Sequence, residues 1–194
     1  MSNFIVQASA LHASLKGALV ATSDAAPVFD GVLIETGTPT GLRVVATDRY
    51  RIAVGDVSVT ELSGDPLTIH VSSDGVKLLI DGLKSIIKLN KAARIAVEIS
   101  VDEIIIGHGD VYARAATTGL AFPKYESLIP TDFSGVPGDE SIGFNPAFLS
   151  DIYKISGKID KVSIQFNGAT RPALATFNDN YGVAWRYLLM PVRL

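Results

Sequence analysis

One order of elements starts three times in this chain, and a small repeated unit has few ways to bury itself. Phe4-Ile-Val-Gln-Ala8 has the composition of a short strand, and Leu11, Leu15 and Leu19 follow four apart, as on one helix face. Val28 to Glu35, Leu42 to Thr47 and Tyr50 to Val54 then read as strands, the first two parted by a turn through Gly37, Pro39 and Gly41. The order restarts with the strand Leu67–Val71. Ser72, Ser73 and Asp74 are candidate caps for a helix whose stripe runs through Val76, Leu79, Ile80, Leu83, Ile86 and Ile87. Ile95, Val97 and Ile99 alternate, and Ile104–Ile106 and Val111–Ala116 flank a hairpin turn at Gly107-His-Gly-Asp110.

The third start follows a break. Phe122 to Pro130 carries two prolines, and the Gly- and Pro-containing stretch to Gly138 reads as a linker. Glu140–Phe144 is then expected as a strand, and Asn145-Pro146 as a cap with a first-turn proline, whose missing N–H costs nothing there. Phe148, Leu149, Ile152 and Ile155 trace the helix, and Val162–Phe166, Pro172–Phe177 and Val183–Val192 supply strands. Each βαβββ unit is about 55–60 residues long. The fold class is therefore α+β, with helices on one face of antiparallel sheets. Two such units together bury a shared core, so three leave one unmatched.

Several classes of chemistry are disfavoured. There is no cysteine, so disulfides, thiolate metal sites and cysteine nucleophiles are excluded, which fits a cytoplasmic protein. His12 and Lys16 interrupt the apolar start, against a signal peptide, and no apolar run reaches a membrane-spanning length. His12, His70 and His108 lack metal-ligand spacing and are expected to face solvent or to make single hydrogen bonds. Asp102 and Glu103 are strand neighbours that point to opposite faces, a poor arrangement for paired carboxylates. No phosphate-cradling glycine loop or nucleophile elbow is present. The expectation is a protein with no catalytic residues, no metal and no cofactor.

Charge is unevenly placed. The net charge is −3, yet the helical windows 9–22, 76–94 and 147–161 hold nine basic and three acidic residues, against eight and seventeen elsewhere. Lysines on exposed helix faces also serve simply to solvate them. The functional reading is a basic helix-lined surface for a phosphate backbone, made by Lys16, Lys77, Lys84, Lys88, Lys91, Lys154 and Lys158. The C-terminal run Trp185–Leu194 is apolar and must pack as a last strand or serve as a partner-binding wall.

Four segments carry a family likeness. Leu42-Arg-Val-Val-Ala-Thr-Asp-Arg-Tyr-Arg-Ile-Ala53, Phe122-Pro-Lys-Tyr-Glu-Ser-Leu-Ile-Pro130, Ile142-Gly-Phe-Asn-Pro-Ala-Phe-Leu149 and Leu188-Leu-Met-Pro-Val-Arg-Leu194 resemble the bacterial sliding clamp, the β subunit of DNA polymerase III, in that family's order. The resemblance implies the DNA-clamp fold. In that family three domains of two units each, from two chains, make a ring of twelve units around duplex DNA with helices lining the hole.

Residues 1–130 look like the family's middle domain, 131–139 like a linker, and 140–194 like the second half of the last domain. The family's first domain and the first half of its last, which form the ring-closing contact, have no counterpart. The resemblance thus implies a shortened processivity factor that holds replication proteins on duplex DNA without regard to sequence. The alternative is a non-encircling adaptor, competitor or regulator that binds clamp-interacting peptides. A homo-oligomer is expected, and four chains would supply twelve units, which makes a tetrameric ring arithmetically open.

The likeness also implies a pocket for a partner peptide, from a DNA polymerase or another protein, bearing Gln and Leu or Phe. Its walls would be Phe29, Thr47, Tyr50, Arg51, Ile52, Pro123, Leu128, Leu188, Leu189 and Met190. Arg49 stands where the family usually has glycine, and Tyr50 where it usually has histidine.

Overall fold

The computed structural model describes residues 1–133 and 141–193. The first unit runs β1 (Ser2–Gln7), α1 (Ala8–Ala18), a 3-10 turn at Leu19–Ala21, β2 (Gly31–Thr38), β3 (Gly41–Thr47) and β4 (Arg51–Ser58), followed by an unexpected β5 (Thr60–Gly64). The second runs β6 (Thr68–Ser72), α2 (Ser73–Leu89), β7 (Arg94–Ile99), β8 (Glu103–His108) and β9 (Val111–Ala116). The third runs α3 (Pro146–Ser156), β10 (Ser163–Gln165), β11 (Ala173–Asn178) and β12 (Ala184–Leu189).

The caps are where local chemistry puts them. The Ser72 side chain accepts from Gly75 N, and Asn145 accepts from Ala147 N ahead of the first-turn Pro146. On α2, Val76, Leu79, Ile80, Leu83 and Ile86 are buried, leaving Lys77, Lys84 and Lys88 in solvent. The expected strand at Glu140–Phe144 is not there. Glu140 lies outside the described residues, and of the rest only Gly143 makes a strand bridge, to Val192. Residues 134–139 of the expected linker also lie outside the described residues.

Two antiparallel sheets result, five-stranded in the order β5-β1-β7-β8-β9 and seven-stranded in the order β10-β11-β12-β4-β3-β2-β6. The first two units exchange their leading strands: β1 pairs with β7 of the second, and β6 with β2 of the first. The third unit extends the first unit's sheet, with β12 antiparallel to β4 from Arg51↔Leu189 to Asp56↔Ala184.

The helices form one layer, with α1 packed against both α2 and α3. Helix α1 is buried on most sides, which its small residues Ala8, Ala10, Ser14, Gly17 and Ala18 permit. The approach is closest at Gly17, where a Cβ would lie 2.5 Å from the Trp185 ring. Between this layer and the sheets lies one continuous apolar core. A smaller cluster (Leu33, Val45, Ile52, Val54, Leu174 and Leu188) sits on the opposite face of the seven-stranded sheet.

The segment expected as a linker covers that opposite face. Tyr125 is buried in the smaller cluster, flanked by Phe122, Ile129 and Phe133. Its hydroxyl donates to Glu35 Oε2 at 2.5 Å and accepts from an Arg43 guanidinium nitrogen at 3.4 Å. Burial, then Glu35, pushes the phenol above its ordinary range. Prolines here shape a strap across a sheet, because the aromatic and aliphatic residues between them have an apolar face to cover. Among the described residues no helix is long and apolar enough to cross a membrane.

Candidate functional site

Two surfaces hold the residues singled out from the sequence. The first is the exposed side of the helix layer. Lys16 on α1, Lys77, Lys84 and Lys88 on α2, Lys91 just beyond it, Lys154 on α3 and Lys158 after its end are all exposed. Lys77, Lys84 and Lys154 pair with Asp74, Asp81 and Asp151 at 2.8, 2.9 and 2.7 Å, each one turn away on its own helix. The Lys77 and Lys84 pairs lie in solvent and hold their lysines weakly, which leaves those charges available to a stronger anion, whereas the Asp151 side chain that holds Lys154 is buried. Lys16, Lys88, Lys91 and Lys158 have no carboxylate within ion-pairing distance among the described residues.

His12 feels the charge of two of these lysines. It is half-buried on α1, and its imidazole is held below its ordinary pKa by burial, then by Lys16 and then by Lys84. The last two lie on α1 and α2, which pack against each other. Of the other histidines, His70 is buried, with Nδ1 2.7 Å from Thr118 Oγ1, and His108 Nδ1 lies 3.1 Å from Arg94 O. No group of three or more metal-ligating side chains occurs among the described residues.

The second surface is the end of the seven-stranded sheet where β3 turns into β4 beside the end of β12. Asp48 builds the turn: Oδ1 accepts from the backbone N–H of Tyr50 and Arg51, and Oδ2 from Arg51 Nε at 2.9 Å. The turn places Arg49 at φ 80°, in the left-handed region that favours glycine. The Arg49 guanidinium lies over the Phe29 ring, 5.5 Å from its centroid. Met190 N donates to Tyr50 O at 2.9 Å, joining the tail to this turn. Tyr50 and Met190 are both exposed, and the Tyr50 ring stacks on Phe148 of α3 at 6.5 Å.

The ten expected pocket residues divide between the faces of the sheet. Ile52 and Leu188 point into the outer cluster with Tyr125, whereas Leu189 points into the main core. This follows from strand alternation. Arg51, opposite Leu189, reaches the helix layer, where its guanidinium pairs with Asp151 and lies 4.4 Å from the Phe148 ring centroid. Thr47 Oγ1 donates to Arg51 O at 2.8 Å and so braces the turn. Pro123 and Leu128 lie exposed on the strap, Pro123 lining a separate groove beside His70. The turn thus brings Thr47, Tyr50, Arg51 and Met190 together, while Ile52 and Leu188 lie on the other face of the sheet.

Sequence reasoning missed Asp151 and the roles of Phe148 and Tyr125. An acid at the fourth place of a mostly apolar helix stripe was the available sign for Asp151. The recurrence of Phe122, Tyr125, Ile129 and Phe133 at intervals of three and four was the sign for the strap.

No family model matches the chain. The beta sliding clamp of Synechococcus elongatus is 30% identical over 131 residues, which are 66% of this chain and 34% of that protein. Among solved structures, the DNA polymerase III beta subunit of Thermotoga maritima superposes with a TM-score of 0.81 at 18% identity, over 100% of this chain and 66% of that one. A DNA polymerase sliding clamp from Pseudomonas aeruginosa gives 0.79 at 19% identity, over 99% and 66%. The chain thus spans about a third of the curated relative and just under two thirds of the solved chains. Over about two thirds of its length the chain is thus similar in sequence to a bacterial beta sliding clamp, and over its whole length it shares the fold of solved DNA polymerase III beta subunits.

Proposed function

We propose that the chain is a sliding-clamp-like processivity factor that rests its helix layer on duplex DNA. It holds replication proteins there through the turn where Tyr50 meets Met190. The observation that carries this reading is the exposure of Lys16, Lys77, Lys84, Lys88, Lys91, Lys154 and Lys158 on or just beyond three helices that pack into one layer. Ammonium groups on flexible stems meet phosphates without reading bases, so binding is independent of sequence and weakens with salt. The proposed partners are duplex DNA, further copies of the chain, and a polymerase or other protein bearing a clamp-binding peptide.

The test is anisotropy of a labelled duplex across a salt series. Replacing Lys84, Lys88 and Lys158 together with glutamate should weaken binding and flatten the salt dependence; an unchanged curve would sink the assignment. A second reading is supported by the exposure of Tyr50, Leu128 and Met190. A chain that takes clamp-binding peptides without encircling DNA would act as an adaptor or competitor. It would keep peptide affinity while showing no salt-sensitive hold on DNA.

A further inference from the structure

The third unit carries two complementary vacancies. In the first two units the leading strand lies along the second strand of the other unit, β1 on β7 and β6 on β2, antiparallel in both cases. The third unit's second strand is β10. Among the described residues its one ladder runs to β11, and all three of its residues are exposed. Ser141–Phe144 occupies the place of a leading strand, yet it belongs to no sheet and makes a single bridge, Gly143 to Val192. One unit therefore offers both an acceptor edge and a donor segment. In the pair already present, donor and acceptor lie on different units.

Apolar surface accompanies the vacancies. A groove of about 350 Å³ is lined by Ile142 and Phe144 of the segment, Leu149 of α3, Ile164 and Phe166 on and beside β10, and Leu189 of β12. Leu149 and Ile164 are 40% and 37% exposed. Helices α1 and α2 pack on one another, whereas α3 packs on the flank of α1 and on the 3-10 turn that follows it. An open edge beside exposed aliphatic side chains is a surface that proteins cover.

We propose that a second copy of this chain completes the third unit. Ser141–Phe144 of each copy lies antiparallel along β10 of the other, and the two α3 helices pack as α1 and α2 do. The contact is isologous, because donor and acceptor belong to the same patch. The two-fold relation between copies repeats the relation already present between the first and second units. The proposal goes beyond the function proposed above and does not depend on DNA binding.

The test is the solution mass of the full chain by light scattering across a concentration series, beside Leu149→Glu and Ile164→Glu. Both side chains are partly in solvent in the single chain, so each variant should fold, with circular dichroism as the check. The expected result is a mass of at least two chains, halved by either substitution. A single-chain mass for the unsubstituted protein would overturn the proposal. So would a mass unmoved by the substitutions, as for copies joined at the β9 edge.

The absence of cysteine allows a second, independent measurement. An Ile142→Cys chain mixed with Ile164→Cys or Phe166→Cys chains and oxidised should give a disulfide-linked pair on a denaturing gel. No cross-link with either partner would overturn the exchange. Unchanged DNA binding by the lysine variant, beside a mass of two or more chains for the unsubstituted protein, would count against the processivity reading and leave this one standing.

Discussion

Arg51 on β4 and Asp151 on α3 form an ion pair between the first and third units. The Asp151 side chain is 2% exposed and that of Arg51 14%. Asp48 accepts from the same guanidinium, and Phe148 lies beneath it. This is a desolvated cluster in which each charge depends on its partner. Removing one member of such a pair costs about 3–5 kcal/mol where the other is left buried and uncompensated, and the low end applies here because Arg51 keeps Asp48 and Asp151 keeps Lys154. Asp151→Ala should therefore lower stability by about 3 kcal/mol, and Arg51→Ala by a similar amount. Urea unfolding of both single variants and the double variant gives the coupling. Additive losses would show that the two residues act independently.

Trp185 holds the same two units together by packing. It is the single tryptophan, 1% exposed, and its indole N–H donates to Asp179 Oδ2 at 3.1 Å. Gly17 on α1 and Gly55 on β4 both abut its ring, where an added Cβ would lie 2.5 and 2.9 Å away. Gly17→Val should cost about 3 kcal/mol by overpacking, with Gly55→Ala smaller and of the same sign. Tryptophan emission checks the mechanism, since a displaced ring meets water and its spectrum shifts to the red. A destabilised variant with unshifted emission would place the strain elsewhere.

His12 reports on the basic face through its protonation. Burial, Lys16 and Lys84 all favour the neutral ring, so its folded pKa lies below its ordinary 6.5. The unfolded chain therefore binds the proton more readily. Stability is at its full value above about pH 6.5 and declines as pH falls through the window below it. His70 acts in the same direction, its pKa lowered chiefly by burial. Lys84→Ala should raise the His12 pKa in an NMR titration, and duplex DNA seated on this face should raise it too. A titration curve indifferent to Lys84 would mean that the two side chains do not share a surface.

The repeat was legible because each unit's core is written locally, as the α2 stripe and the caps at Ser72 and Asn145 show. What pairs across units was not. Nothing local in Phe4–Val6 says that β1 joins β7 instead of β2, since either sheet would bury the same residues. The exposed strand β5 escaped because Thr60–Gly64 has no apolar face to alternate. The strap was misread because prolines outweighed Tyr125, whose partners Glu35 and Arg43 lie more than 80 positions away. The proposed pocket divided because residues adjacent in sequence, Leu188 and Leu189, face opposite sides of a strand.

The two proposed surfaces can be tested separately by substitution, because they share no residue. Met190 is 38% exposed and held by its backbone, so Met190→Lys changes the surface and leaves the strand pairing intact. It should abolish binding of a Gln- and Leu/Phe-containing peptide while DNA affinity stays unchanged. Replacing Lys84, Lys88 and Lys158 with glutamate should do the reverse. If all three lysines contact phosphates, the slope of log affinity against log salt falls by roughly 3. A protein that needs both surfaces loses polymerase processivity with either variant. If processivity survives loss of the lysines, the helix face is a solvated surface and the turn at Tyr50 carries the function alone.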